Sequence, residues 1–148
     1  MMKRRLKRFK LIGAVHLFLI HNGQVLLLRR FNTGYEDGNY SVVAGHLDGG
    51  EEIKPAMQRE AREEVGIEIA DEDLQIVGVM HRKSQDERID FFLVAECWTG
   101  EIRNREQEKC DQLLWCDLDR LPENIIPYVR RARENYRAGR WFDSFGWT

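Results

Sequence analysis

Glu60, Glu63 and Glu64 stand at positions i, i+3 and i+4 within GHLDGGEEIKPAMQREAREEVGI, residues 45–67. On a helix turning about 100° per residue they fall within roughly one third of the circumference. Like charges at these spacings repel and destabilise an isolated helix by tenths of a kcal/mol. Such a triplet is tolerable when solvated, when paired with arginine, or when bridged by a hard divalent cation. Carboxylate oxygens suit Mg²⁺ or Mn²⁺ in that last role. An acidic triplet alone is most often a solvated face, so its surroundings decide the reading.

Those surroundings are elements that would position the acids. Met57, Ala61 and Val65, spaced by four, form an apolar stripe beside them. A helix is expected from Lys54 or Pro55 to Val65, with Pro55 at its first position and Gly66 just past its end. It would press the stripe into a core and aim three carboxylates at one point. The preceding loop, Gly45 to Glu52, is glycine-rich, which lets backbone turn tightly and approach a ligand closely.

The spacing of the whole stretch is long and specific. Gly45, five residues, Glu51, seven residues, Arg59-Glu60, Ala61, one residue, Glu63-Glu64, one residue, Gly66 and Ile67 follow one another without a gap. In this the sequence resembles the Nudix hydrolases, the MutT-like superfamily, with every fixed place of their signature filled. The resemblance implies hydrolysis of a nucleoside diphosphate linked to another group, by attack of water on phosphorus, with Mg²⁺ or Mn²⁺ as cofactor. It implies Glu60, Glu63 and Glu64 as metal ligands, with the Gly45 carbonyl as a further one. Arg59 resembles the arginine that pairs with box carboxylates, including Glu51, and orients them. For the general base it leaves Glu63 and an acid from a later loop, Glu106 or Glu108, of which Glu108 is favoured. The implied fold is α/β, a Nudix-type α/β/α sandwich with a mixed β-sheet.

The rest of the chain is read in that frame. Leu11 to Ile20 is a buried strand, Asn22-Gly23 a hairpin turn, and Gln24 to Arg30 the returning strand. Phe31 to Asn39 is a loop and Tyr40 to Ala44 a short strand. Leu74 to Arg82 and Arg88 to Trp98 pair across a polar turn. Thr99 to Lys109 is charged and mobile in character, and Leu113 to Cys116 is a last strand. Ile125, Ile126, Val129, Ala132 and Tyr136 recur at helical spacing, capped by Asn124 and stopped by Gly139. The tail, residues 140–148, carries Trp141, Phe142, Phe145 and Trp147. Exposed, these would be an interaction patch; they are expected to fold back over the domain, the alternative being a homodimer contact.

At 148 residues the chain suits one domain, residues 1–148, with a basic arm at 1–10. A hydrophobic content of 43% with 32% charged residues reads as soluble and globular. A net charge of −2 argues against general nucleic-acid binding. The basic start before Leu11 imitates a signal peptide, but His16 interrupts the apolar run and no small-residue cleavage site follows. No stretch approaches the ~18 apolar residues of a membrane span. Cys97, Cys110 and Cys116 have no zinc-like spacing and read as reduced thiols of a cytoplasmic protein.

The small-molecule partner is a nucleotide whose identity is open. Phe31, Tyr35, Tyr40, Trp98 and Trp115 could stack on a base; Arg29, Arg30 and Arg82 could meet phosphates. The arginine- and proline-rich motif of coenzyme A-directed relatives is missing before the box. WCDLDRLP resembles a region of relatives acting on free nucleoside triphosphates, including damaged ones. Nucleotide-sugar hydrolysis, a non-catalytic nucleotide sensor, and RNA end processing suggested by the basic arm are the alternatives, in falling order.

Overall fold

The computed structural model describes residues 7–148. The first half of the basic arm, including Lys3, Arg4 and Arg5, lies outside the described residues. Strand β1 (Ile12–His21) turns through Asn22 and Gly23, at φ 51° and 76°, into β2 (Gln24–Arg30). Asn and Gly carry these positive φ values at low cost, which is why the pair marks a hairpin. After a loop come β3 (Tyr40–Ser41) and β4 (Val43–His46), then helix α1 (Ile53–Val65). Strands β5 (Gln75–Lys83), β6 (Glu87–Ala95) and β7 (Cys110–Asp117) follow, then α2 (Pro127–Ala138) and β8 (Phe142–Phe145).

The strands form one mixed sheet in the order β3-β2-β1-β6-β5-β8, with β4 added beside β1 and β7 beside β2. β1 runs parallel to β6 from Ile12 opposite Arg88 to Leu19 opposite Ala95. Its first half pairs antiparallel with β4, with Val15 opposite Gly45 and His16 opposite Ala44. Val15, Leu17 and Leu19 pack with Met57, Ala61 and Val65 of α1. Phe18 and Ile20, of opposite parity, pack with Val129 and Ala132 of α2. A strand covered on both faces needs a continuous apolar run rather than an alternating one. The result is an α/β/α sandwich around a mixed sheet. Among the described residues, no helix is long and apolar enough to cross a membrane.

Three local expectations shift, and the tail takes a form that was not foreseen. Helix α1 starts at Ile53, so Pro55 is its third residue. Proline is tolerated there because the first four helical N–H groups have no intrahelical partner. Helix α2 is preceded by Ile126 and opens on Pro127, not on an Asn124 cap. Asn124 instead donates its side-chain amide to the Gly38 carbonyl at 2.9 Å. The charged segment from Thr99 to Lys109 is irregular yet tied to the end of α1: Arg103 and Arg105 N–H groups reach the Val65 and Glu64 carbonyls, both at 3.0 Å. These are carbonyls that a helix end leaves free. The aromatic tail folds back within the chain: β8 lies parallel to β5, with Val79 opposite Phe142 and Arg82 opposite Phe145.

Candidate active site

Arg59 is the hub of the acidic helix. Its Nε and Nη2 donate to the two oxygens of Glu51 at 3.2 and 2.7 Å. Nη1 donates to Glu60 Oε1 at 2.7 Å, and Nη2 also reaches the His46 carbonyl at 3.2 Å. The guanidinium fork thus clamps the loop acid and the helix acid at once, a geometry that lysine cannot reproduce. The hydrogen bond to Glu51 foremost, then those to Glu60, hold the Arg59 pKa above its ordinary value against the effect of burial. The same contact, with the Asp48 N–H, lowers the pKa of Glu51.

Glu60 is buried and lies against the backbone of Gly45, where a Cβ would overlap its carboxyl group. Gly45 therefore serves close approach, and its φ is not in the left-handed region. Glu64 reaches the Ala44 N–H at 3.4 Å. Part of its surface opens on a cavity, yet its carboxyl is deep in protein. Burial first, then a hydrogen bond with Glu60 and the charges of Glu60 and Glu106, push its pKa well above the usual carboxylate range. Glu106 is half-buried on the anchored loop. Burial chiefly, with the charges of Glu60, Glu108 and Glu63 outweighing Lys109, raises its pKa too.

Glu60, Glu63, Glu64 and Glu106 all line one cavity of about 400 Å³, together with Arg30 and Lys109. Glu108 is exposed and borders a neighbouring groove instead. So Glu106, not the favoured Glu108, is the later acid that the anchored loop brings to this cavity. The three helix acids share the cavity but do not converge on one point. Relative to Glu60, Glu63 lies about 60° to one side of the helix and Glu64 about 40° to the other. The side chain of Glu63 is 51% exposed and only 3.5 Å from Arg59. Among the described residues, no three His, Cys, Asp or Glu side chains are gathered closely enough to hold one ion in these rotamers.

The donor set nevertheless fits a hard divalent cation. It is made of oxygen alone, it concentrates more acidic groups than Arg59 offsets, and burial beside Glu60 and Glu106 raises the pKa of Glu64, a shift that a bound cation would reverse.

The other candidates scatter. Tyr40 is buried and bonds Gln112 at 2.9 Å. Trp98 and Trp115 stack on each other at 6.3 Å against the core. Phe31 is exposed; Arg29 lines the acidic cavity but is held by Asp111 at 2.7 and 3.1 Å. Arg30, Arg82 and Tyr35 meet at a second cavity, which the buried His16 and Tyr128 also line. Sequence reasoning did not single out those last two, nor Asp90 behind them. The signal was present: His16 and Asp90 are polar residues inside buried apolar strands.

The geometry agrees with what the chain is similar to. The NUDIX domain family model matches residues 10–139. NAD-capped RNA hydrolase NudC of Pseudomonas aeruginosa is 32% identical over 121 residues, covering 79% of this chain and 40% of that protein. RNA pyrophosphohydrolase of Novosphingobium aromaticivorans is 24% identical, covering 80% of this chain and 85% of that protein. Thus the chain spans less than half the length of the NudC relative. The MutT Nudix hydrolase structure from Burkholderia pseudomallei superposes with a TM-score of 0.78 at 24% identity, covering 85% of this chain and 98% of that one. With a family model spanning nearly the whole length and the complete box on one helix and its loop, the chain belongs to the NUDIX domain family, the Nudix hydrolases.

Proposed function

We propose that the chain is a Mg²⁺-dependent pyrophosphohydrolase that cleaves a nucleoside diphosphate linked to another group. Free (deoxy)nucleoside triphosphates, damaged ones included, are the first substrates to try, with monophosphate and pyrophosphate as products. The observation that carries this reading is the meeting of Glu60, Glu64 and Glu106 in one cavity with unmet negative charge. A diphosphate could not enter beside them without a cation.

Glu60, Glu63, Glu64 and the Gly45 carbonyl would hold that cation. Once bound, it supplies charge neutralisation between carboxylates and diphosphate and stabilises charge developing on the phosphoryl oxygens. Arg59 and Glu51 keep Glu60 in place. Arg30 and Lys109, which line the same cavity, offer positive charge to the outer phosphate oxygens. Glu106, held by its loop, or the freer Glu63 takes the proton from the attacking water.

The test is release of pyrophosphate or phosphate across a nucleotide panel with Mg²⁺ and with Mn²⁺. Turnover of at least one nucleotide is expected; tight binding without turnover throughout would favour a nucleotide sensor. A second reading, cleavage at an RNA 5′ end, is favoured by what the Pseudomonas and Novosphingobium relatives are named for. NAD-capped and 5′-triphosphate RNA therefore belong in the same panel.

A further inference from the structure

Across β4 from the acidic cavity lies a second cavity of about 660 Å³. Arg30, Ala44, Gly45 and His46 border both. Arg30 has no carboxylate partner among the described residues; it donates to the Tyr35 carbonyl at 2.6 Å and the Thr33 hydroxyl at 3.1 Å. A diphosphate in the first cavity would meet Arg30 at this junction, and the group attached to it would continue into the second.

Two buried residues of the second cavity carry donors that the protein leaves unused. Arg82 is 5% exposed and Tyr128 8%. Asp90 takes one edge of the Arg82 guanidinium, Nε at 2.7 Å and Nη2 at 3.4 Å. His16 Nε2, 2.9 Å from the same carboxylate, also braces it. The guanidinium lies 3.7 Å over the Tyr128 ring, so the hydroxyl of that ring is its neighbour. Among the described residues, the unpaired polar atoms sealed from solvent are His16 Nδ1, His81 Nε2 and Arg133 Nε. Arg82 Nη1 and the Tyr128 hydroxyl are also unpaired but not sealed, and both residues line this cavity. An ion pair that only braces the fold uses one edge of the guanidinium. The other edge, fixed by Asp90 and the stack, stands open to a ligand.

The chemistry of the wall selects that ligand. A guanidinium nitrogen only donates. Burial pushes the Tyr128 pKa up to about 12, so its hydroxyl keeps a proton to donate. Both groups call for an acceptor. A second phosphate does not suit, because the charges of the lining cancel: Arg30, Arg82 and Arg88 stand against Glu36 and Asp86, with Asp90 bound to Arg82. A carbonyl oxygen is neutral and has two lone pairs, one for each donor. Tyr35, 45% exposed, lines the same cavity and offers its ring to a flat group.

We propose that the second cavity selects a carbonyl-bearing ring, an oxo base over an amino one, with Arg82 Nη1 and the Tyr128 hydroxyl donating to its oxygen. Because the donors belong to buried residues, they meet the edge of the ring that enters first. In a base joined to its sugar, that edge carries C6 of a purine or C4 of a pyrimidine. The assignment rests on the hydrolase reading above only for the place of the phosphates. Arg82 is then a residue of specificity and not a phosphate contact.

The test measures binding without metal and without turnover, so it stands apart from the hydrolysis assay. The full chain is titrated with two pairs, IMP against AMP and UMP against CMP, which exchange oxo for amino at that edge. IMP and UMP are expected to bind about tenfold tighter than their partners, the worth of one hydrogen bond to a charged group. Tyr128→Phe, which keeps the ring beneath Arg82, narrows the preference. Arg82→Met with Asp90→Asn, which removes the buried pair together, abolishes it. Should the double variant not fold, 4-thio-UMP decides in the unaltered chain: sulfur accepts poorly, and binding is expected to fall to the level of CMP. Equal binding within each pair, a preference that survives the double variant, 4-thio-UMP bound like UMP, or ribose 5-phosphate bound as tightly as UMP would overturn the proposal. No turnover of any nucleotide, with the binding preference intact, would overturn the hydrolase reading alone.

Discussion

The carboxyl group of Glu60 occupies the space that a Cβ on Gly45 would need, and Arg59 holds it there at 2.7 Å. A flexible side chain could normally swing away from an added methyl group. Here it is clamped, so the added atom must break the clamp or shift β4. Gly45→Ala is expected to lower kcat/KM by roughly 10- to 100-fold, the usual cost of disturbing what orients a metal ligand. Its thermal midpoint should stay within a few degrees of the unaltered chain. Normal turnover in a folded Gly45→Ala protein would show that the close approach has no role.

Arg59→Lys tests the fork itself. Lysine keeps one positive charge but cannot serve Glu51 and Glu60 together. Mn²⁺ affinity, followed by electron paramagnetic resonance, should weaken about 10- to 100-fold. An unchanged affinity would mean that Glu60 needs no external support.

The later acid is settled by a pair of variants. Glu106 lines the cavity and Glu108 does not. Glu106→Gln is expected to lower kcat at least ~10-fold, the lower end for losing a general base or a charge at the metal. Glu108→Gln should leave kcat within about twofold. The reverse ranking would return the role to Glu108.

Asp90 makes a stability prediction. Its pKa falls from an ordinary 3.8 to about 2 on folding. The folded state therefore gains stability above about pH 4, and loses it as the pH drops towards 2, by about 2 kcal/mol in all. Asp90→Asn removes that dependence and leaves Arg82 buried without its partner, at a cost of about 3–5 kcal/mol. Adding Arg82→Met to Asp90→Asn should restore most of the loss. Urea unfolding at pH 7 and pH 3 measures both effects. A double variant no more stable than Asp90→Asn would contradict the pairing.

How much of this was legible beforehand depended on whether the interaction is local in sequence. The acids of α1 are spaced by helix geometry, so their shared cavity follows from counting residues. The left-handed Gly66 and the Asn22-Gly23 turn are equally local, and both stand where they were expected. Convergence of three acids was too simple, since i+3 and i+4 lie on opposite sides of i. Choosing between Glu106 and Glu108 requires knowing that Arg103 and Arg105 staple their loop to α1, a contact across some forty residues. The His16–Asp90 pair spans 74 positions, and only the parallel register of β1 with β6 brings it together. Asn124 looked like a cap because its type suits one, but Pro127 starts α2 and Gly38 takes the amide. The tail's place beside β5 was expected as a fold-back but not as a strand, because its four residues carry no alternation to mark them.

The most direct test of the account is nucleotide turnover by the unaltered chain and by Glu64→Gln, each with and without Mg²⁺. The account predicts pyrophosphate or phosphate release only with the cation, and a kcat at least ~10²-fold lower in the folded variant. Equal turnover by the two proteins, or turnover indifferent to Mg²⁺, would contradict it.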